Sequence, residues 1–288
     1  MFPPTLVIGP LRIAWYSLIM TGGLLAALFW LAWSDAEHGR VSAAWPDDRL
    51  SGERPLRSRF LRLLPAWSAA LRRALDDALP LLLSGLVAGR VVYVLAQWPY
   101  FGEHPWQSLR FWEGGLSAQG AVVGGLLLLI WQACARPGGW TRADRFVPPL
   151  LVLQTAAWLS CWCAACAYGR TVDIARWPWL AAFDWPDLYG LFLPRVPLQG
   201  MGVVFSLLLL AGAWRLSARN LAPGLLSGAA LLLSGLADAG LQLLRGDEAW
   251  LWLGQRAALW ADLAFMLCGA ACIVLAWRKR LAQTSLSC

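Results

Sequence analysis

Three ionisable side chains interrupt stretches of the sequence that are otherwise long and apolar. Arg90 lies in SGLVAGRVVYVL, and Asp238 and Asp262 lie in two later stretches. Charge at membrane depth is costly, so each marks either a functional site or a structural pair between helices. A fixed guanidinium near a helix end suits a lipid phosphate, and Arg90 is therefore predicted to bind lipid. No neighbour in sequence completes a site around the aspartates, so both are predicted to be structural.

A glycine-rich segment, FWEGGLSAQGAVVGG at 111–125, opens another apolar stretch. Its Ser117 and Gln119 supply hydrogen-bonding groups, while glycine allows close approach of backbone or lipid. Glycine also suits plain helix packing, so both interpretations stay open at this point.

Five of the seven cysteines fall in or beside two apolar stretches: Cys161, Cys163, Cys166, Cys268 and Cys272. Cys163 and Cys166 would share a helix face, as would Cys268 and Cys272, which would allow a thiol-redox or metal centre. No flanking histidine or cation marks such a centre, so we predict that the cysteines are small hydrophobic residues. The spacing predicts no disulfide framework, and we expect no metal and no cofactor.

The elements that carry these residues must be membrane helices. Of 288 residues, 59% are hydrophobic and 14% are charged, whereas about a quarter are charged in a typical soluble domain. Roughly twenty apolar residues cross a bilayer as a helix, because lipid cannot bond the backbone. The sequence predicts an all-α integral membrane protein, one domain over 1–288, with seven transmembrane helices at 10–33, 79–98, 114–135, 146–168, 199–216, 221–244 and 256–277.

The basic residues predict the orientation of these helices. Sixteen of the 24 lysines and arginines lie on the side that holds loop 34–78 and the C-terminal end, and seven lie on the other. Cytoplasmic loops retain positive charge, so the N-terminus is predicted to be periplasmic or exterior and the C-terminus cytoplasmic. This role accounts for the net charge of +7, and we predict no nucleic-acid partner. The first residues lack a cleavable signal sequence, so the first helix is expected to remain.

Two connecting segments are predicted to have structure of their own. The cytoplasmic loop 34–78 ends in an amphipathic stretch at 56–78, where arginines alternate with apolar residues. We predict that this stretch lies on the inner leaflet, with a solvated linker as the alternative. The outer segment 168–198 mixes charged residues with tryptophans, and we predict a periplasmic cap there.

Ordered motifs over most of the chain resemble the prolipoprotein diacylglyceryl transferase family. IGPLRIAWYSL at 8–18 is similar to the family's IGP-x-x-x-x-WYG and keeps Tyr16. Five further segments resemble family motifs in the same order: AGRVVYVL at 88–95 (GGRLGYVL), WEGGLSAQGA at 112–121 (W-x-GGMSFHGG), RADRFVPP at 142–149 (ADFIAP), AYGRTVDIARWPW at 167–179 (LWGR-x-TDLPW) and RVPLQ at 195–199 (RHPSQ).

The resemblance implies an enzyme of the bacterial inner (cytoplasmic) membrane. Such an enzyme takes phosphatidylglycerol from the outer leaflet, transfers its diacylglyceryl group to the lipobox cysteine of a preprolipoprotein and releases glycerol phosphate. This chemistry needs a nucleophilic thiol and cations that hold the leaving phosphate. The resemblance and the residue types together nominate three catalytic residues, Tyr16, Gln119 and Arg195, and five lipid-binding residues, Arg90, Ser117, Gly169, Arg170 and Gln199.

The departures from the family pattern are concentrated at its polar centre. Gln119 stands where the family has a histidine, and glutamine cannot take a proton near neutral pH. Against the family's Arg-x-GNF-x-NGE-x-WGR run, the arginine, asparagine and acid positions hold Trp158, Cys161, Ala164 and Cys166. Four more polar positions hold Val196, Leu198, Met201 and Gly202.

Two functions therefore stay open at the level of sequence. One is a divergent phosphatidylglycerol-dependent transferase, whose partners are phosphatidylglycerol and a preprolipoprotein. The other is a non-catalytic lipid-binding or scaffolding subunit on the same fold, whose partner is another membrane protein. A thiol-redox function of the cysteines is the third and less favoured hypothesis.

Overall fold

Eight α-helices account for most of the residues that the structure describes. The computed structural model describes residues 5–8, 11–43, 56–111, 115–173, 175, 183–186, 189–219 and 221–285. The helices are α1 (Trp15–Ala43), α2 (Leu56–Ala96), α3 (Trp98–Glu103), α4 (Ala118–Ala135), α5 (Gly139–Cys163), α6 (Leu198–Ser217), α7 (Leu225–Leu244) and α8 (Ala257–Ser285). Short antiparallel hairpins pair β1 (Thr5–Ile8) with β2 (Leu11–Ala14), β3 (Phe183–Pro186) with β4 (Phe192–Arg195), and β5 (Leu251–Trp252) with β6 (Gln255–Arg256).

Seven helical segments of the described chain are long and apolar enough to cross a membrane. They are Trp15–Ala36, Trp67–Ala96, Ala118–Ala135, Gly139–Cys163, Leu198–Ser217, Leu225–Leu244 and Ala257–Arg280. Large apolar side chains such as Leu25, Leu127, Leu208 and Leu267 are exposed along them, as expected where lipid covers a helix. The prediction of an all-α integral membrane protein is confirmed, and the chain is a multi-pass membrane protein.

Several predicted helix bounds are wrong at their starts. The first helix begins at Trp15 rather than 10, because residues 11–14 pair with 5–8 as a hairpin. The helix predicted at 146–168 begins at Gly139 and ends at Cys163, because the polar residues of its first turns resemble a loop in sequence. The stretch 56–78 and the predicted second transmembrane helix form one continuous helix, α2. The position of residues 56–78 on the inner leaflet stays a prediction.

The chain divides into two compact units, residues 25–129 and residues 1–24 with 130–288. In the 25–129 unit, glycines bring α2 and α4 into close contact. A Cβ at Gly85 or Gly89 would lie 3.0 Å from a backbone carbonyl oxygen of α4 or its N-cap. Across the same pair, the Ser84 hydroxyl donates to the Gly124 carbonyl at 2.8 Å. Small residues of this kind are what close helix pairs in membranes require.

In the 130–288 unit, α5 to α8 pack around small and aliphatic side chains. Val147, Leu151, Ala213 and Leu226 form a buried cluster among α5, α6 and α7. Asp144 of α5 accepts three hydrogen bonds at the start of α7, from the Gly224 and Ser227 amides at 2.7 Å and from the Ser227 hydroxyl at 2.6 Å. It satisfies amides that the helix itself leaves unbonded.

The predicted cap at 168–198 is described in part. The β3–β4 hairpin belongs to it, with Phe183 opposite Arg195. Residues 174, 176–182 and 187–188 of the segment lie outside the described residues.

Candidate functional site

The motif Tyr168–Arg170 lies as a central strand between two other segments of the 130–288 unit. On one side, the Arg170 amide donates to the Leu244 carbonyl and the Gly246 amide donates to the Tyr168 carbonyl, both at 2.9 Å. On the other side, the Val196 amide donates to the Arg170 carbonyl at 3.2 Å. The end of α7 and the segment after β4 are thereby held on either side of this motif.

Gly169 is required by this close approach. A Cβ at position 169 would collide with the backbone carbonyl of Val196. Glycine is used where two backbones must approach this closely, so the structure gives Gly169 a packing role. Its predicted lipid contact stays a prediction.

Arg195 places a positive charge in a buried position. The residue is 8% exposed, and its guanidinium carbon lies 4.4 Å from the centroid of the buried Tyr168 ring. Its Nη1 donates to the Gly169 carbonyl at 3.5 Å. A cation over an aromatic face is stabilised by the ring quadrupole. Arg195 therefore places a buried guanidinium, stacked on an aromatic ring, beside the backbone of Gly169.

Two further predicted residues join this cluster. Arg170 is exposed on the central strand. Gln199, at the start of α6, is 5% exposed, and its side-chain Nε2 donates to the Cys166 carbonyl at 3.0 Å. The structure thus brings together Gly169, Arg170, Arg195 and Gln199, which form the Arg195 cluster.

The end of α5 is closed by a disulfide between Cys161 and Cys166, whose Cα atoms are 4.8 Å apart. The Cys166 amide donates to the Cys161 carbonyl at 3.0 Å, and the Ala165 amide donates to the Trp162 carbonyl at 3.4 Å. Ala165 has a φ of 54°. These bonds and this left-handed residue make a Schellman motif, and the disulfide joins the two positions that usually make its hydrophobic contact.

The predictions about these cysteines are therefore wrong in two respects. A disulfide exists, and Cys166 pairs with Cys161 rather than sharing a helix face with Cys163. The reason is that α5 ends at Cys163, after which helical spacing no longer applies. Cys163 has an exposed, free thiol.

A charged cluster that was not predicted from the sequence follows α7. Asp247 accepts from Arg245 at 2.8 and 2.5 Å and from Arg256 Nη1 at 3.2 Å, and the Asp247 carbonyl accepts from Arg256 Nη2. Burial raises the pKa of Asp247, but hydrogen bonding and charge from Arg245, with the charge of Arg256, outweigh it and lower the pKa below 3.8. The cluster adjoins the central strand, since Gly246 bonds to Tyr168. The sequence feature that could have indicated this cluster is an aspartate two residues after Arg245 in a short loop.

An apolar groove of about 480 Å³ follows α6 and α7 and reaches Leu244, the residue before Arg245 of the Asp247 cluster. It is lined by Met201, Phe205, Leu208, Leu209, Leu233, Leu236, Ala237, Gly240, Leu241 and Leu244. Leu244 also bonds to Arg170 through its carbonyl, so cationic and apolar surfaces meet at this point. An anionic headgroup with acyl chains has this combination of properties.

In the 25–129 unit, Arg90 organises the chain before α4. Its guanidinium donates to the carbonyls of Ser108 at 2.8 Å, Gly115 at 2.9 Å, Gln107 at 2.7 Å and Arg110 at 3.2 Å. Backbone bonds therefore account for four contacts of this cation. Its predicted binding of lipid stays a prediction.

Ser117 and Gln119 lie at the start of α4. The Ser117 hydroxyl accepts from the Gly120 amide at 3.2 Å, which is the hydrogen bond of an N-cap residue. It also donates to the Gln119 side chain at 3.4 Å, and Gln119 is exposed. Tyr16 is 44% exposed in the first turn of α1. The catalytic roles of Tyr16 and Gln119 stay predictions.

The two intramembrane aspartates lie close to residues that are distant in sequence, and one of them, Asp238, is hydrogen-bonded there. Asp238 of α7 accepts from the side-chain amide of Gln154 of α5 at 3.0 Å. Asp262 of α8 is 7% exposed, and its backbone carbonyl lies against Gly235 of α7.

The comparisons with known proteins agree with the resemblance. The family model for prolipoprotein diacylglyceryl transferase matches residues 57–275. The chain belongs to this family. It is similar to the phosphatidylglycerol–prolipoprotein diacylglyceryl transferase of Cupriavidus pinatubonensis, with 26% identity over 295 residues that cover 96% of this chain and 92% of the relative. The enzyme of the same name from Burkholderia lata is 26% identical over 313 residues, covering 98% and 97% of the two chains. That of Lactobacillus gasseri is 27% identical over 155 residues, covering 54% and 42%.

Proposed function

We propose that this family member binds phosphatidylglycerol at the outer face of a bacterial inner membrane and transfers its diacylglyceryl group to the cysteine thiol of a prolipoprotein. One observation carries the proposal: the exposed Arg170 and the buried Arg195 lie on bonded segments that border an apolar groove. The cations suit the lipid phosphate and the groove suits its acyl chains. A periplasmic N-terminus and cytoplasmic C-terminus, supported by the distribution of basic residues, give this cluster an outward-facing position.

The transfer would be a displacement at carbon. The thiol sulfur forms a bond to the diacylglycerol carbon as the bond from that carbon to the phosphate oxygen breaks. The electron pair stays on the phosphate oxygen, glycerol phosphate leaves, and the thiol proton passes to water. Charge develops on the leaving phosphate, where the guanidiniums of Arg170 and Arg195 would stabilise it.

Activation of the thiol is the step in which this chain departs from its family pattern. Gln119 holds the histidine position, and its amide donates and accepts hydrogen bonds without taking up a proton. In this proposal Gln119 orients the acceptor, and Tyr16 supplies a hydroxyl. The reacting species is the thiolate that exists in solution at the ambient pH.

The test is a transfer assay with the full chain in nanodiscs that contain phosphatidylglycerol. A lipobox peptide is added, and mass spectrometry detects the diacylglyceryl group on its cysteine. We expect product with this peptide and none with its Cys→Ser form. Arg195→Ala should reduce transfer by about a hundredfold or more, the usual effect of losing one group that stabilises developing charge. Arg215→Ala, a change of an exposed arginine in the last turn of α6, should leave transfer unchanged.

A pair of glycine variants tests the groove separately. Gly240 lines the groove, whereas Gly212 of α6 does not, and a Cβ at either position would meet open space. Gly240→Phe should lower lipid retention and transfer, while Gly212→Phe should not. Lipid retention without any transfer, under conditions in which a relative is active, would contradict the proposal and favour the non-catalytic lipid-binding subunit.

A further inference from the structure

A polar cavity lies at the other end of the 130–288 unit from the apolar groove. Its volume is about 510 Å³, and it opens where α4 ends, α5 begins, α6 joins α7 and α8 ends. The Arg195 cluster lies at the opposite ends of α5 and α6. The two sites are therefore separated by the length of these membrane-spanning helices.

The lining of this cavity carries positive charge. Arg136, Lys279 and Arg280 all contribute to it, and none of the described residues that line it is acidic. Asp144, which lies nearby in α5, is bonded to the start of α7 by three hydrogen bonds. A concave surface with charges of one sign concentrates the field and attracts the opposite ion.

Backbone and hydroxyl groups add hydrogen-bonding capacity to this charge. Gly139, Trp140 and Thr141 of the first turn of α5 line the cavity. The preceding residue, Gly138, is left-handed, and α5 has no side-chain cap among the described residues. The Gly139 amide already donates to the Arg136 carbonyl at 3.0 Å. The amides that follow it in the first turn have no intrahelical partners and lie at the positive end of the helix dipole, which favours a bound anion.

The rest of the lining is apolar and comes from helix ends at the membrane boundary. Ala133, Leu221, Pro223 and Ala276 contribute to it. The volume falls within the roughly 300–1,000 Å³ of small-molecule sites. An anionic ligand with an apolar continuation, drawn from the adjacent leaflet, matches the charge, volume and position. Basic pockets between helix ends at the cytoplasmic side are typical of lipid headgroup sites.

We propose that this cavity binds the phosphate group of an anionic phospholipid in the leaflet opposite to that of the Arg195 cluster. The phosphate lies between Arg136 and Lys279 at the first turn of α5, and the acyl chains continue along the bundle surface. A lipid headgroup and a free phosphate ion share this chemistry, so the experiment must separate them.

The experiment measures lipid binding to the full chain in detergent by native mass spectrometry. The probes are phosphatidylglycerol, phosphatidylcholine and inorganic phosphate. The test variant is Arg136→Gln/Lys279→Gln, and the matched control is Arg215→Gln/Arg278→Gln, which removes two exposed cations outside the cavity lining. We expect the test variant to bind one phosphatidylglycerol at least about tenfold more weakly than wild type, and the control to bind it as wild type does.

Four further results decide the proposal. The charge-retaining variant Arg136→Lys/Lys279→Arg should keep the affinity, which separates loss of charge from misfolding. Arg195→Ala should leave this binding event intact, so failure of the outer site and failure of this site are distinguishable. Equal phosphatidylglycerol binding by the test and control variants would overturn the proposal. Variant-dependent binding of inorganic phosphate without such binding of phosphatidylglycerol would overturn the lipid assignment.

Discussion

Removal of the Cys161–Cys166 disulfide tests how the end of α5 is held beside the candidate site. The bond joins cysteines five positions apart, and the chain-entropy relation gives about 2 kcal/mol for a loop this short. The variant Cys161→Ser/Cys166→Ser should therefore lose about 2 kcal/mol of unfolding free energy. The difference in unfolding free energy between wild type and this variant should disappear when both are measured in reductant.

The left-handed conformation of Ala165 predicts a second, independent change in the free energy of unfolding. Its φ of 54° lies in the left-handed region, which costs an L-residue roughly 1–2 kcal/mol. Ala165→Gly should recover about 1 kcal/mol in the double-serine background, because glycine adopts this conformation without a steric penalty. Ala164 is the matched control. Its φ is −89°, so Ala164→Gly relieves no strain and should lose about 0.5–1 kcal/mol.

The assay is reversible unfolding in mixed micelles, with and without reductant, combined with alkylation under non-reducing conditions. Mass spectrometry should find label on the exposed Cys163 and none on Cys161 or Cys166 until reductant is added. Label on both of these cysteines in the native, unreduced protein would refute the disulfide. A double-serine variant with wild-type unfolding free energy would refute the claim that the bond stabilises the cap.

Three other predictions follow from the site. Asp247→Asn should destabilise the fold by about 2 kcal/mol, because it removes charged hydrogen bonds. The pKa of Asp247 is lowered in the folded state, so its carboxylate stabilises the fold above pH 3.8, and this stabilisation is lost as the pH falls below that value. The free energy of unfolding, measured from neutral to acid pH, should therefore fall more steeply in wild type than in the variant. Gly169→Ala should destabilise the protein by about 1–3 kcal/mol, because a Cβ collides with the Val196 carbonyl, whereas Gly212→Ala in the open middle of α6 should be neutral or stabilising by unfolding measurements. Because Gln119 takes no proton, the transfer rate should rise about tenfold per pH unit below the substrate thiol pKa of roughly 8.5. The variant Gln119→His should flatten this pH profile. A wild-type rate that is independent of pH near neutrality would contradict the reasoning.

The sequence predicts the membrane helices well because their length and apolar composition are set by the bilayer. It fails where a partner distant along the chain gives a polar residue its role. Arg142, Asp144 and Arg145 suggested a loop before residue 146, yet they belong to α5, and Asp144 bonds to residues 80 and 83 positions away. A single sequence does not show such a partner.

The site was predictable to the extent that its residues form short motifs. Gly169 and Arg170 are adjacent, and Arg195 and Gln199 are four residues apart, so the resemblance identified them together. The disulfide was not predictable, because helix ends are usually recognised by glycine in the left-handed position. Here that position holds Ala165, so no residue type in the sequence indicates that α5 stops before Cys166.

Residues at which the chain departs from the family motifs it resembles contact one another in pairs. Trp158 and Gly202 hold an arginine and a glutamate position of the family pattern, and the Trp158 ring occupies the space that a Cβ at Gly202 would need. Cys161 and Cys166, at an asparagine and an acid position, bond to each other. A large ring opposite a glycine and a disulfide between two vacated positions are matched changes, because either member alone would leave a clash or an unpaired group. The centre is therefore repacked as a unit, while the segments that carry Arg170 and Arg195 keep their backbone hydrogen bonds beside it. A repacked centre next to an intact cationic strand explains why we assign lipid recognition to Arg170 and Arg195, and why the pH dependence of transfer is the most direct measure of what the replaced centre still does.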